Sequence, residues 1–364
     1  MKSGLGPLLD ASANARLSSE PDMKKQICMV PKLSGLGGMV SFQAKFIQGL
    51  QKRQIPFTFD LSHPENSAIL VIGGTRQLFS LWRLKYRGVP IIQRLNGMNW
   101  MHKVEKTPLK AFFKAEINNR LLAFIRRNLA DAVIYQSQFS QDWWNRVYGA
   151  THRPAHVVYN GVDPQTYSPD GPEKPPADHD RILLVEGHLS GANFRGLATA
   201  IKLAQILRKD HARNVELMVV GDVSQDLIAH SHTLAPETWI TWQGIVNQTQ
   251  IPKLDRSAHV LFSADLNAAC PNSVIEAMAC GCPVLAYDTG ALGEIVQKGA
   301  GKVVPYGGDH WQLEEPDLEP LAEACVEVLQ NNQAYRHGAR ARAESTFSLD
   351  AMVDAYLQVL ESFQ

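Results

Sequence analysis

A glutamate near the start of a short helix is the residue of this sequence best placed to do chemistry. Pro271 opens the helix, Glu276 follows early in it, and Gly281 with Pro283 ends it. The free N–H groups and the dipole of a helix N-terminus attract anions, and a carboxylate close by accepts hydrogen bonds from hydroxyl groups. This stretch therefore predicts a ligand site that offers both functions.

The same stretch has a purely structural interpretation. Ser273 and Glu276 have the spacing of a capping box, in which both side chains satisfy N–H groups of the first helical turn. Capping boxes are common in helices that bind nothing. On the local pattern alone, the structural interpretation is favoured, and the surrounding elements must decide.

Short apolar runs, several of them ending in glycine, alternate with helical segments throughout the chain. Buried parallel strands have this appearance, and open α/β sheets bind ligands at the carboxyl ends of their strands. The sequence therefore predicts an α/β fold with parallel sheets. Predicted strands are 26–32, 68–74, 89–97, 132–137, 156–159, 181–186, 215–221, 239–244, 258–263, 284–287 and 301–305, and the longer predicted helices are 39–53, 75–87, 107–128, 138–148, 318–331 and 349–362.

The length of 364 residues and the ordinary globular composition predict about two domains. We expect residues 1–24 to be a disordered leader and residues 25–165 to form a first domain. The Pro-rich, charged composition around 172–180 predicts a linker over 166–180. A second domain is expected over 181–345, followed by a C-terminal helix over 346–364.

Charge is distributed unevenly between the two halves. Residues 1–163 hold 22 Lys and Arg against 10 Asp and Glu, whereas residues 164–364 hold 14 against 26. Either the basic half faces an anionic partner, or the halves attract each other across a cleft. No apolar run is long enough to span a bilayer. The five cysteines lack metal or redox spacing, so buried reduced thiols and a cytoplasmic location are expected.

The predicted helix 107–128 is rich in both lysine or arginine and aromatic residues. A basic amphipathic helix can lie on an anionic bilayer, and this is our hypothesis for the basic half of the chain. The alternative is a helix that packs on the core and exposes a solvated basic face.

Three segments resemble motifs of the family-four retaining glycosyltransferases. CPNSVIEAMACGCPV with DTGALGEIV resembles the nucleotide-sugar signature, and GLGGMVSFQ resembles the first glycine loop. NGVD followed by Tyr167-Ser168-Pro169 resembles the motif at which the chain crosses between domains. The resemblance implies the GT-B architecture, in which two Rossmann-like domains turn their parallel sheets toward a central cleft and the C-terminal helix often packs back on the first domain.

The resemblance also implies roles for particular residues. Glu276 would bind the ribose hydroxyls of the nucleotide, and Asp265 and His102 are the candidates for contact with the donor sugar at the catalytic centre. Other candidates for the donor nucleotide and diphosphate are Gly187, His188, Arg195, Gly244, Ile245, Asn272, Ser273 and Val274. Candidates for the acceptor and phosphate loops are Gly37, Gly38, Arg94 and Gly97, the last two also standing where a predicted strand ends.

One position departs from the family pattern, because the first of two signature glutamates falls at Ala268. We expect a retaining glycosyltransferase that uses a nucleotide-diphosphate sugar, no metal and no further cofactor. The acceptor would be a glycan, a lipid-linked sugar or a small molecule of polysaccharide or cell-envelope synthesis, at the cytoplasmic membrane face, with no role for nucleic acid.

Three alternatives to this function stay open. Ala268 and the altered phosphate loop are also compatible with a silent relative that only binds nucleotide-sugar or glycan. A nucleotide-sugar epimerase of the GT-B type is disfavoured by the NGVD crossing and the DTGALGEIV turn. A Rossmann dehydrogenase is disfavoured because the first glycine loop lacks the Gly-x-Gly-x-x-Gly spacing.

Overall fold

Two parallel sheets of six strands each organise the chain in this computed structural model, which describes residues 26–35, 37–189, 194–234 and 239–363. The first sheet has the order β2-β1-β3-β4-β5-β6 and the second has the order β12-β11-β10-β7-β8-β9, with every paired strand parallel. The α/β prediction is thus confirmed. The strands are β1 (Gln26–Val30), β2 (Phe57–Thr58), β3 (Asn66–Ile72), β4 (Ile91–Leu95), β5 (Ala132–Tyr135), β6 (Ala155–Val157), β7 (Asp180–His188), β8 (Val215–Asp222), β9 (Ile240–Gly244), β10 (Val260–Ser263), β11 (Val284–Tyr287) and β12 (Gly301–Val304).

Helices cover both faces of each sheet. They are α1 (Gly38–Lys52), α2 (Leu78–Tyr86), α3 (Leu109–Phe124), α4 (Gln138–Tyr148), α5 (Phe194–Lys209), α6 (Gln225–Leu234), α7 (Ile251–Ser257), α8 (Asn272–Ala279), α9 (Leu292–Ile295), α10 (Glu319–Gln330), α11 (Asn332–Thr346) and α12 (Leu349–Glu361), with 3₁₀ turns at Met101–Lys103 and Gln248–Gln250 and a π-helical turn at Ile125–Leu129. The sequence did not predict α6 or α11. Helix α11 buries only Ala339, Arg342 and Ala343, so it carries almost no apolar periodicity.

The side chains of strand β1 point alternately to the two faces of the first sheet, and each face has its own apolar core. Ile27 and Met29 pack in the cluster formed with α1 and α12. Cys28 and Val30 point to the opposite face, where they pack with α2 and the π-helical turn. Successive side chains of a strand point to opposite faces, so a strand buried on both sides reads as one continuous apolar run.

The C-terminal helix α12 packs on α1 of the first half. Tyr356 contacts Phe42 and Phe46, with ring centroids 5.1 and 5.5 Å away. The chain reaches this position beside the Asn-Gly turn, where the Val162 amide donates to the Phe347 carbonyl at 2.8 Å. The last helix therefore completes the core of the first half although it follows the second half in sequence.

All five cysteines are buried and free, as predicted. Burial raises the pKa of the Cys28 and Cys282 thiols to about 12, so these groups stay protonated and unreactive at neutral pH. In the part of the chain that the structure describes, no helix is long and apolar enough to cross a membrane. Residues 1–25, which include the predicted leader, lie outside the described residues.

Candidate functional site

Helix α8 is anchored in the core of the second half and presents its first turn to the first half. The side chains of Val274, Ile275 and Met278 are completely buried and hold the helix against its sheet. Gly281, with a φ of +71°, ends the helix in the left-handed conformation that glycine adopts without strain. Glu276 is thereby held rigidly, with 7% of its surface exposed.

Glu276 forms an ion pair with a lysine of the other half of the chain. The Lys45 Nζ atom of α1 lies 2.8 Å from Glu276 Oε1, and each side chain is 9% exposed. The capping-box interpretation is wrong, because Pro271 stands at the N-cap of α8 without a side-chain hydrogen bond and the Glu276 carboxylate turns to Lys45. Oε2 of Glu276 accepts no hydrogen bond from any described residue, so it remains open to a ligand hydroxyl.

Two further polar groups lie near Glu276 inside the second half. Asp255 of α7 is 1% exposed, and neither of its carboxyl oxygens has a hydrogen-bond partner among the described residues. Burial, and then the negative charge of Glu276, raise its pKa well above the usual range. Burial likewise raises the pKa of the Tyr167 hydroxyl. Both groups are therefore neutral near pH 7, and the Glu276–Lys45 pair carries the charge of this cluster.

The N-termini of α1 and α8 approach each other across the two halves. A Cβ atom on Gly38 would lie 3.7 Å from the side-chain nitrogen of Asn272. The Asn272 Oδ1 atom is buried without a hydrogen-bond partner in the described structure. Two helix N-termini in one place favour an anion there. The structure thus brings Gly37, Gly38, Asn272 and Ser273 together near Glu276, whereas the Val274 side chain belongs to the core.

The loop after β4 also approaches the second half. A Cβ atom on Gly97 would lie 3.0 Å from Trp143 and 3.8 Å from Ala269, so a side chain here would crowd the Trp143 ring while contacting the second half. Arg94, in contrast, is fully buried, donates to Asn160 Oδ1 at 3.0 Å and stacks on Phe42 at 3.8 Å. Arg94 therefore packs inside the first half, next to its contact with the second half, and is not exposed to a phosphate in this arrangement.

A second polar site lies at the ends of β7 and β10. Glu186 and Asp265 line a cavity of about 50 Å³ together with Met101, Arg195, Gly196 and Leu313. Burial, and then the charge of Asp265, raise the pKa of Glu186, and burial raises the pKa of Asp265. Asp265 and Arg195 were predicted from the sequence, whereas Glu186 was not. Its signal was a carboxylate at the last position of the predicted strand 181–186, directly before Gly187.

Arg195, in the first turn of α5, is tied loosely at the edge of this cavity. Its Nη1 atom donates to the Leu313 carbonyl at 3.2 Å, and the carboxylates of Glu105 and Glu315 lie 3.9 Å from the guanidinium. Nearly half of the side chain is exposed, which leaves it free to turn toward an anion. Gly187 is exposed at the end of β7, and the side chain of His188 lies outside the described residues.

Three other predicted positions, His102, Gly244 and Ile245, lie apart from both sites. His102 is buried, and its Nε2 atom forms a hydrogen bond with Glu116 at 2.8 Å. The neighbouring Met101, and not His102, lines the carboxyl cavity. Gly244 and Ile245 are exposed at the end of β9, with Ile245 64% exposed.

Aromatic side chains join the two halves beside the carboxyl cavity. Trp311 of the second half contacts Trp100, Phe139 and Trp143 of the first, with ring centroids 5.0 to 6.2 Å apart. The Glu294 carboxylate also crosses the junction and accepts from the Phe139 amide at 2.8 Å. No local sequence pattern predicts these contacts. Nor do the described residues place three or more His, Cys, Asp or Glu side chains where they could hold a metal ion.

The fold defines a protein of two parallel sheets with polar sites between its halves, and comparison with known proteins gives its family. Residues 180–331 match the family described as Glycosyl transferases group 1, and residues 30–166 match Glycosyltransferase Family 4. The chain belongs to the family-four glycosyltransferases. The sequence-based identification of the family is confirmed.

Several known proteins are similar to this chain in sequence or in structure. The chain is 25% identical over 248 residues to an alpha-maltose-1-phosphate synthase of Mycobacterium tuberculosis, covering 63% of this chain and 62% of that protein. It is 28% identical over 250 residues to a D-inositol 3-phosphate glycosyltransferase of Xylanimonas cellulosilytica, covering 63% and 57%. The match thus spans about three fifths of each relative's length. The crystal structure of Anabaena Alr3699/HepE in complex with UDP and glucose aligns with a TM-score of 0.66 at 19% identity, covering 93% of this chain and 100% of that one, which confirms the GT-B fold.

Proposed function

We propose that this protein transfers a sugar, with retention of its anomeric configuration, from a nucleotide-diphosphate donor to an acceptor hydroxyl group. The observation that carries the proposal is Glu276, a buried carboxylate held between the halves with one oxygen open. A ribose diol offers two hydroxyl donors, and a carboxylate accepts several hydrogen bonds. One of the similar structures holds UDP and glucose. For this chain we propose only the class of such ligands, a nucleotide-diphosphate sugar.

The converging helix N-termini are proposed to hold the donor diphosphate. Exposed N–H groups at Gly38 and Asn272 and the partial positive charge of both helices would stabilise the negative charge that grows on the leaving group. Arg195 would add a bidentate contact if it turned from Leu313, because a guanidinium matches two phosphate oxygens. This cluster needs no metal ion to carry positive charge.

Retention requires that the acceptor attack from the face on which the diphosphate leaves. The bond between the anomeric carbon and the phosphate oxygen breaks, and its electron pair stays on the diphosphate. The acceptor oxygen bonds to the same face of the anomeric carbon, and its proton passes to the departing phosphate oxygen. No side chain has to form a covalent bond in this sequence, so catalysis rests on positioning and electrostatics.

The carboxyl pair of Glu186 and Asp265 is proposed to hold the donor sugar. Ala268 offers no carboxylate at the position that the family signature assigns to sugar contact. Glu186 and Asp265 supply two carboxyl groups at the ends of neighbouring strands, in a cavity large enough for one hydroxyl or hydroxymethyl group. A partly buried carboxyl pair that keeps a proton can both donate and accept, which suits a sugar hydroxyl better than a phosphate.

A panel of nucleotide-diphosphate sugars tests the proposal. Thermal shift identifies the bound nucleotide and sugar, and NMR of the anomeric proton then follows transfer to candidate glycan, lipid-linked and small-molecule acceptors. We expect one donor to raise the melting temperature and to give product with the anomeric configuration of the donor. Donor binding without hydrolysis or transfer over long incubation would make the chain a silent relative. If no nucleotide binds the stable protein, the proposed site is wrong.

A further inference from the structure

The outward face of α3 is apolar, which is unusual for a helix on a protein surface. Leu109, Phe113, Ile117 and Phe124 follow one another at intervals of four or seven residues and therefore share one face. They are 76%, 59%, 62% and 46% exposed. Asn119 is the one fully buried residue of α3, and Leu121 and Leu122 pack its inner side on the core. The helix therefore packs on the core as the alternative expected, but its outer side carries apolar side chains as well as basic ones.

Helix α2 carries a second exposed apolar feature. Phe79, Trp82 and Tyr86 form a stacked ladder along one side, with ring centroids 6.1 and 6.0 Å apart. They are 73%, 55% and 85% exposed. Three large aromatic rings in water on one short helix cost solvation free energy unless something covers them.

The two helices belong to the same layer over the first sheet. Leu81 and Leu84 of α2 pack in one cluster with Ile125 and Leu129 of the π-helical turn that continues α3. Leu121 of α3 packs against the same cluster. Seven of the ten exposed large apolar side chains in the described chain are found on these two helices. Both helices thus cover the same side of the first sheet, and we call their exposed apolar side chains together the α2–α3 face.

Positive charge surrounds the α2–α3 face. Exposed cations without an ion pair to any described residue are Arg83, Arg87, Lys110, Lys114, Arg120 and Arg127. Helix α2 contains no acidic residue, and the one carboxylate of α3, Glu116, is paired with His102 and Lys103. An occupant of this face must therefore be apolar on its inside and anionic around its rim.

We propose that the α2–α3 face docks on a bilayer surface that carries anionic lipids. Aromatic side chains settle at the boundary between headgroups and acyl chains, and lysine and arginine next to them bind lipid phosphates. A second copy of this chain fits less well, because the same cations would face each other across a symmetric contact. The docking does not depend on the cleft, so nucleotide binding at Glu276 and membrane binding fail independently.

Sedimentation of the full chain with vesicles tests the docking. We expect binding to vesicles of phosphatidylcholine mixed with phosphatidylglycerol at low salt, and release at high salt. Reversing two cations in Lys110→Glu/Lys114→Glu should weaken binding roughly tenfold or more, since each cation near the surface contributes about 1 kcal/mol. The matched control Lys174→Glu/Lys209→Glu reverses two exposed lysines of the second half and should bind as the wild type does.

The aromatic ladder is tested by Phe79→Gln/Trp82→Gln/Tyr86→Gln, which keeps good helix formers at exposed positions. Membrane binding should be lost while thermal stability is kept. The control Val147→Gln also replaces an exposed apolar side chain with glutamine, at a 45% exposed site on α4, and should have no effect on binding. Bromine-labelled lipids should quench wild-type fluorescence, and Trp82→Phe should still sediment but lose most of that quenching.

Three results would overturn the docking. The first is no sedimentation at low salt, and the second is equal binding to vesicles of phosphatidylcholine alone. The third is a concentration-dependent dimer in sedimentation velocity that the ladder variant abolishes, which would assign the α2–α3 face to a second copy of this chain.

Discussion

The two carboxylate sites of the cleft differ in what faces their negative charge. Glu276 has the Lys45 ammonium at 2.8 Å, supplied by the other half of the chain. Glu186 and Asp265 face each other instead, and no described residue forms an ion pair with either of them. A counter-charge keeps a buried carboxylate ionised, whereas a buried like charge makes it hold its proton.

The difference suits the two sites to different parts of one ligand. Glu276, in its ion pair with Lys45, offers acceptor oxygens, as two vicinal hydroxyl groups of a ribose require. The Glu186–Asp265 pair keeps one proton more readily, so it offers both a donor and an acceptor to a sugar. The following experiments alter one of the two sites or add a carboxylate beside them.

The largest expected effect is on folding stability. Glu276→Gln leaves the Lys45 ammonium buried without its counter-charge, which should lower the free energy of unfolding by about 3–5 kcal/mol. Urea denaturation measures the change. The double variant Lys45→Met/Glu276→Gln removes both charges and should recover most of the loss. Equal losses in the single and double variants would show that the ion pair does not stabilise the closed arrangement.

A smaller, pH-dependent effect of opposite sign is expected at the carboxyl pair. The raised pKa of Glu186 means that the folded state binds a proton more tightly than the unfolded chain. This contribution to stability is complete below the ordinary carboxyl pKa of about 4 and is lost as pH rises through the raised value. Glu186→Gln should therefore match the wild type near pH 4 and become relatively more stable toward neutral pH.

Urea titrations at several pH values measure this trend for Glu186→Gln and, as a second probe of the pair, Asp265→Asn. A stability difference that does not vary with pH would contradict the shared-proton description.

The smallest effect is expected for Ala268→Glu, which restores the family's carboxylate. The Ala268 carbonyl accepts from the Ala291 amide at 2.8 Å, and the Gly290 backbone lies against it, so the loop itself should persist. We expect a several-fold change in kcat/KM for one donor sugar relative to another. Affinity for the nucleoside diphosphate alone should not change, because Glu276 is untouched. Unchanged donor preference would place position 268 outside the sugar pocket.

The sequence predicted most of the fold because its signals are local. Apolar runs, glycines at the ends of strands and helices, and the Asn-Gly turn between the two halves each lie within a few residues. Helix α4 has the bounds that its pattern predicted. Helix α11 was missed because its surface is polar nearly all around. The π-helical turn after α3 is likewise invisible to a pattern that counts only period and charge.

The candidate site was harder to predict because its partners are distant in sequence. Glu276 and Lys45 are separated by 231 positions, so local spacing offered only the capping box. Glu186 and Asp265 meet because β7 and β10 are neighbours in the second sheet, an order that the chain does not reveal. The spacing of the aromatic residues of the α2 ladder is also typical of a helix face that packs in the core. Only the structure shows that this face is exposed.

The most direct test of the central claim compares nucleotide affinity in three variants by isothermal titration calorimetry. With the nucleoside diphosphate that the wild type binds best, Lys45→Met should keep most of its affinity. Glu276→Gln and Lys45→Met/Glu276→Gln should each lose roughly 10- to 100-fold, since hydrogen bonds to a charged group contribute about 1.5–3 kcal/mol. If the double variant is folded and binds the nucleotide as tightly as Lys45→Met, then Glu276 does not bind the ribose.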